Sequence, residues 1–373
     1  MDLDIRGGEF QKNIFINGST FSSTLDFIEY YQNFQPGNIF ISGNTIKWFR
    51  ILGGKYKYVS IQDNKIEKII IVEQRSHFLN NDFANGIKKW GFIENLIFSL
   101  NENTEIQIEY QEVKKISFKG TLNNNQVNAN FLKAEKLEFN SLTKFASAIF
   151  NFYRLEPLNK ESAIYIIDSY LGNTSFFNCD FKKFNHFYIS SSSLIDLLFI
   201  NTTWPKKFEI AYANQSTIGK IDISKSNTIE DYKQLREIYR QLKLATSKQS
   251  DKLQESIFYR NEMFYLNKTL LWKEHLWTKL SLLGSLISNN HKQNWFYPIC
   301  WMVGFNFLFT IGLQKSLFHD FQWNIFFVLL NPTHFFDSLC IPQSFINLLI
   351  DFSSRISNGF LIYQIIKAFR RLY

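Results

Sequence analysis

Two ionisable side chains stand where an apolar sequence leaves little room for them. Asp351 and Arg355 interrupt the run Ser344 to Ile366, SFINLLIDFSSRISNGFLIYQII. At i and i+4 on a helix they share one face and can neutralise each other. An ionised side chain at the centre of a bilayer costs about 2.5–3.5 kcal/mol on insertion scales, so it is aimed at protein, a partner subunit or water. Two roles stay open: a pore-facing or gating pair, and a salt bridge that fixes helix packing. Ser353, Ser354, Ser357, Asn358 and Gly359 add small polar positions that let helices approach closely.

A second cluster is Asn331-Pro332-Thr333-His334. It reads as a helix start, with Asn as cap and Pro at the first position. With the apolar decamer Phe321 to Leu330 before it, it forms a re-entrant or pore-loop candidate, which a membrane tolerates only where protein or water covers the backbone. The alternative is an interfacial loop outside the membrane. A TVGYG-type filter is absent, so potassium selectivity has no support.

The sequence contains no HExxH, GxSxG, Walker A or GxGxxG motif. Gly53-Gly54-Lys55 lacks the rest of a phosphate loop and reads as a turn. Cys179, Cys300 and Cys340 are too far apart for a zinc motif and read as isolated thiols in a reducing compartment. No catalytic residue, metal ligand set or cofactor is assigned, and an enzyme is not expected. The formal net charge of +8 would suit nucleic acid. With no nucleic-acid module in sight, nucleic acid is disfavoured, and basic flanks of membrane spans are the simpler account.

The elements that must position these residues come last in the chain. Trp295 to Leu313, WFYPICWMVGFNFLFTIGL, runs without a charged side chain, and about 20 such residues cross a bilayer core. Span, short apolar dip and second span make residues 294–373 a two-span membrane domain. The start, MDLDIRGGEF, has no basic and apolar leader pattern, so the bulk of the chain is expected in the cytosol. Lys268, Lys273, Lys279 and Lys292 precede the first span, while Lys367, Arg370 and Arg371 follow the second. The positive-inside rule then places both termini in the cytosol.

Residues 1–222 read as short strands separated by Asn, Gly and Ser. Asn13-Ile14-Phe15-Ile16-Asn17-Gly18-Ser19-Thr20-Phe21 recurs as Asn38-Ile39-Phe40-Ile41-Ser42-Gly43-Asn44-Thr45-Ile46, an offset of 38 − 13 = 25 residues. A strand-plus-turn unit of that length suits a β-solenoid coil. The alternative is a β-sandwich, because later runs do not hold the period. Near Thr228 the pattern changes to 3.6. Thr228 with Asp231 resembles a capping box with Asp in place of Glu. Leu235, Ile238, Tyr239 and Leu242 follow on one face. A second helix is expected from Ser250-Asp251, with Leu253, Ile257 and Phe264 as its stripe. Phe264 to Ile287, rich in Trp and Lys, reads as a continuation lying at headgroup level or as a core helix. Residues 228–290 thus form a helical hairpin and interfacial helix.

Thr174-Ser175-Phe176 followed by Cys179-Asp180-Phe181 gives two five-residue units in step, with isolated matches at Ala129-Asn130-Phe131, Ser192-Ser193-Leu194 and Thr202-Thr203-Trp204. These resemble the degenerate pentapeptide-repeat solenoids of bacterial proteins. The stretch YRQLKLATSKQSDKLQESIFYRNEM, Tyr239 to Met263, is similar to the hairpin that precedes the spans in bacterial membrane proteins of that kind. The resemblance covers roughly residues 174 to 373. It implies a β-solenoid, right-handed and β-helix-like, followed by an α-helical hairpin and a C-terminal α-helical membrane domain in the bacterial inner membrane. The expected function is a membrane-anchored sensor or effector. Its solenoid binds a protein or small-molecule ligand and controls a homo-oligomeric module in the lipid bilayer, conducting or not, of the kind used in stress or phage defence. The alternative is a non-conducting membrane-tethered binding scaffold.

Overall fold

A computed structural model of the chain describes residues 3–6, 13–28, 37–52, 55–72, 91–100, 104–122, 124–144, 148–205, 207–213, 221–223, 228–314, 321–339 and 341–370. Gly53-Gly54, Cys340 and Arg371 lie outside these residues. The chain divides into two compact units, Met1–Ala245 and Thr246–Tyr373.

The first unit is a parallel β-solenoid. The repeated NIFI segments pair residue for residue, with Ile14 opposite Ile39, Phe15 opposite Phe40 and Ile16 opposite Ile41. One repeat is therefore one coil. Later coils differ in length. Ile39 pairs Val59, a step of 59 − 39 = 20, and Ile116 pairs Leu137, a step of 137 − 116 = 21. Leu137 pairs Ile164, a step of 164 − 137 = 27, and Val59 pairs Leu96, a step of 96 − 59 = 37. The strands keep register while the connections vary, which is why a fixed period fades from the sequence. A sandwich needs antiparallel sheets; the ladders described along this solenoid run parallel.

Inward positions form two aromatic and aliphatic columns. On one face Phe98, Phe118 and Phe139 stack at 5.2 and 5.6 Å. On the other Phe152, Phe176 and Phe199 stack at 5.3 and 5.7 Å. Thr174, Phe176, Cys179 and Phe181 are all buried. Corners carry left-handed backbone. Gly18 and Gly43, at φ +61° and +64°, are neighbours in successive coils, and Asn44 ties the two by accepting from the Ser19 amide and donating to the Ile16 carbonyl. At another corner Tyr110, Phe131, Arg154, Asn178 and Asn201 all have positive φ. Contacts along that column offset the strain: Tyr110 stacks on Phe131 at 4.8 Å, Arg154 lies 5.0 Å over Phe131, and Asn201 donates to Asn178.

Helix α1 (Ile229–Lys248) closes this unit. The capping box forms, with the Thr228 amide on Asp231 and the Asp231 amide on the Thr228 hydroxyl, at 3.0 and 3.1 Å. Its predicted face, Leu235, Ile238, Tyr239 and Leu242, is buried. Tyr239 meets Phe208 edge-on, and Gln241 accepts from the Leu194 amide. A polar-backed helix over the open apolar end is the ordinary way to make a solenoid soluble.

The second unit is helical: α2 (Lys252–Thr269), α3 (Leu276–Asn289), α4 (Phe296–Gln314), α5 (Trp323–Leu330) and α6 (Phe345–Phe369). Asp251 caps α2 by accepting from the Gln254 amide. Two expectations are corrected here. The stripe of α2 is not Leu253, Ile257 and Phe264, since Leu253 and Phe264 are exposed while Phe258 and Glu262 are buried. Nor is Phe264 to Ile287 one helix. Leu270 turns extended after α2, and α3 begins anew at Leu276. Trp272, in that break, is held under Lys279 at 4.6 Å. Leu313, Ile325, Leu329 and Leu339 form a small apolar core between α4 and α5.

The coil register makes a sharp prediction for stability. Ile41 is 1% exposed and points inward, whereas Phe15 is 61% exposed. Ile41→Asp buries an unpaired charge as well as losing its packing, and should cost more than about 3 kcal/mol. Phe15→Asp loses only an exposed stack on Phe40 and should cost about 1 kcal/mol. Equal unfolding midpoints for the two variants in urea would contradict the register.

Candidate functional site

The residues singled out in the sequence come together within the helical unit. Asn331 does not start a helix: it is the C-cap of α5. Its side-chain oxygen accepts from the amide and hydroxyl of Thr333 at 3.1 and 2.8 Å, an Asx turn of the kind Asn favours. Pro332 has no amide hydrogen to leave unpaired in that turn. The turn swings His334 back, so that Nδ1 lies 2.6 Å from the Asn331 carbonyl and Nε2 lies 2.6 Å from Asp351 Oδ1. On its other oxygen Asp351 accepts from Arg355 Nε at 2.9 Å, with the terminal guanidinium nitrogen at 2.8 Å.

Both ring nitrogens of His334 thus face oxygen acceptors, the Asn331 carbonyl and the Asp351 carboxylate. Asp351 and His334 are both buried. The predicted i, i+4 pair is thus one arm of a three-residue network, and the histidine is the member that sequence spacing did not connect to it.

A buried polar stripe continues from this network along α6: Asn347, Asp351, Ser354, Asn358 and Gln364. Asn358 and Asn306 of α4 exchange side-chain hydrogen bonds at 2.8 and 2.9 Å. The Asn358 amide also donates to the Leu329 carbonyl of α5 at 2.6 Å. Thr310 donates back to the Asn306 carbonyl. Further along, Asn289 of α3 donates to Gln364 Oε1 at 2.7 Å and accepts from the Lys292 amide. The opposite face of α6 is apolar and open, with Phe345 at 81% and Phe352 at 61% exposure. On α4, Val303 and Leu308 are exposed while Asn306 and Thr310 are buried. On these faces of α4 and α6, polar side chains are turned inward and apolar ones outward.

Asn306, Asn289 and Gln364 were not singled out in advance. One signal was legible: Asn306 is an amide within a 19-residue uncharged run, where an unsatisfied polar group costs several kcal/mol. Nothing local to Asn289 indicates a partner 75 residues away.

The remaining chemistry is quiet. Cys179 is buried, and desolvation pushes its thiol up to about 11 despite backbone hydrogen bonds that act the other way. Cys300 is exposed on α4. Among the described residues no group of three His, Cys, Asp or Glu is placed to hold a metal ion. No protein-family model matches the chain, nor does any curated protein or solved structure.

The network orders its own mutants. Asp351→Asn weakens both arms at once and should be the most destabilising single change, about 3–5 kcal/mol for a broken buried pair. Arg355→Gln breaks one arm and should cost less. Exchanging the two charges should not rescue stability, because Arg at position 351 would face the His334 imidazole. Thermal unfolding in detergent checks this; full recovery by the exchange would show that His334 is not in the network.

Proposed function

We propose that this chain is a membrane-anchored sensor or effector, with the solenoid as its docking surface and the helical unit seated in a lipid bilayer. The observation that carries the reading is the inverted polarity of the helical unit: a buried polar stripe backed by exposed Phe, Ile and Leu. In water an apolar surface of that kind would be an association site; in lipid it is the expected exterior.

Among the described residues one helix, Phe296–Gln314, is long and apolar enough to cross a membrane, and it is only 22% buried. At about 1.5 Å per residue it spans about 28 Å, close to the ~30 Å hydrocarbon core. Helix α6 is longer, with 25 residues, and its polar face is the part turned inward. Helix α5, with eight residues, is too short to cross, and α4 and α6 flank its backbone, as a re-entrant element requires. The basic residues beyond α6 and before α4 support a two-span topology with both ends cytosolic. Placement in a bacterial inner membrane, and a role in stress or phage defence, rest on the pentapeptide-solenoid resemblance.

A second reading, the non-conducting tether, is favoured by a specific observation. Asp351, His334, Arg355, Asn306 and Asn358 all find their hydrogen-bond partners within one chain. A pore would have to be formed between copies, along surfaces that are apolar in the single chain. Ion flux through purified protein in liposomes separates the two. The tether predicts no flux from a well-assembled sample; flux that is lost in Asp351→Asn at unchanged oligomer size would establish the pore.

Topology provides an independent check. Single cysteines placed near the N-terminus and after Tyr373, in a cysteine-free background, should both resist an impermeant thiol reagent in intact cells. Labelling at either end would overturn the two-span arrangement.

A further inference from the structure

The α3–α4 turn is built unusually for a simple connection. Asn290, His291 and Lys292 are consecutive left-handed residues at φ +50°, +53° and +72°. For non-glycine residues each such conformation costs about 1–2 kcal/mol, so the surroundings must hold it. Several contacts do. The Asn290 and His291 amides donate to the Leu286 and Ser285 carbonyls. The buried Asn289 side chain takes the Lys292 amide while gripping Gln364, and the Gln293 side chain donates to the Ser256 carbonyl of α2 at 2.5 Å.

This turn gathers cations. Lys292 lies 4.7 Å over the Tyr259 ring and Lys367 lies 5.7 Å over Tyr363. Burial, with the positive charges of Lys367 and Arg260, holds the His291 imidazole below its ordinary value. Glu262, buried on α2, lies near Tyr259. Trp295 stacks on Phe369 at 5.3 Å at the same end of α4 and α6, the aromatic placement typical of a membrane interface.

A groove lies between α3, α4 and α6 beside this turn. Its volume is about 210 Å³, and Gly284, Ser288, Trp301, Phe305, Phe360 and Leu361 line it. Ser288 is buried, and its hydroxyl finds no hydrogen-bond partner among the described residues. On α6 the groove residue Phe360 continues through Gln364 to Lys367 at i, i+4 and i+7. From Phe360 to Lys367 is about 10 Å along the axis. Apolar slot and cationic mouth therefore lie on one stripe.

We propose that this stripe is a binding site for one anionic phospholipid, its acyl chain in the groove between α3, α4 and α6 and its phosphate at Arg260 and Lys367. The proposal rests on the membrane reading above. A zwitterionic lipid would fill the groove equally but gain less from the cations, and a soluble phosphate would meet the cations without using the groove.

The test uses the full chain reconstituted in vesicles of equimolar phosphatidylglycerol and phosphatidylcholine, then extracted in mild detergent, with retained lipid identified by mass spectrometry. Phosphatidylglycerol should be enriched. Arg260→Gln and Lys367→Gln should each lower the enrichment about five-fold, the worth of one interfacial cation. Gly284→Leu should lower retention of both lipids without loss of unfolding temperature, since no atom lies within 4 Å of a Cβ added at Gly284. Equal retention of the two lipids by a chain that resists alkaline washing from the vesicles overturns the lipid site alone. A chain that washes off overturns the membrane reading as well. Thermal stabilisation by inorganic phosphate equal to that by phosphatidylglycerol overturns the lipid assignment in favour of a soluble phosphate ester.

Discussion

The side chain of Asn358 is the contact on which the helical unit depends. One carboxamide joins three helices: it exchanges hydrogen bonds with Asn306 of α4 and donates to a carbonyl at the end of α5 while rooted in α6. In an apolar medium an amide without partners costs several kcal/mol, so any arrangement that parts these helices leaves groups unpaired on more than one of them. Dispersion between apolar faces has little such directionality. The amides therefore set which face of α6 meets α4, and the apolar side chains follow by exclusion to the outside.

The solenoid solves the same problem with the backbone. Each strand donates to and accepts from the coils on either side, so side chains are left to stack. That is why the inward columns can be almost wholly hydrocarbon, and why outward positions repeat like on like: Phe15 on Phe40, Tyr153 on Phe177, Asn151 on Asn128. Ion pairs also run between coils, as in Lys133–Glu112 and Lys115–Glu138. The Lys133–Glu112 pair is partly exposed and contributes little to stability, whereas Glu138 is buried; both pairs penalise a slipped register.

Much of this was legible in the sequence, for identifiable reasons. The NIFI repeat pairs as read because its turn, Gly18 and Gly43, is a backbone constraint that recurs with it. The capping box at Thr228 and Asp231 is a local hydrogen-bond pattern, and local patterns survive any tertiary context. Asp351 and Arg355 stood out because charge in an apolar run has few alternatives. What stayed hidden depended on distant partners or on competition between local signals. Asn331-Pro332 fits a helix start and a helix stop equally well by composition, and the preceding α5, with its carbonyls to satisfy, decided for the stop. The buried face of α2 was misread because Glu262 looks like a surface residue. The break after Thr269 was hidden because Leu271 and Trp272 continue a helix-compatible run. The pairing of His334 with Asp351 spans 17 residues across a turn whose direction no periodicity encodes.

The burial of the charged network accounts for so short a helix as α5. Asp351 lies about 10 Å along α6 from its Ser344 cap and is buried. Arg355 is one turn further on and answers only one carboxylate oxygen. The second oxygen needs a donor that enters from the same side and carries no unsatisfied backbone with it. Helix α5 spans about 12 Å. It delivers His334 to that oxygen on a turn whose own carbonyl, that of Asn331, is taken up by the imidazole, while the Leu329 carbonyl is taken up by Asn358. The short helix, the Asx turn and the histidine are thus one device for ending a buried charged network. Removing any part of it returns the cost of a bare ion to α6.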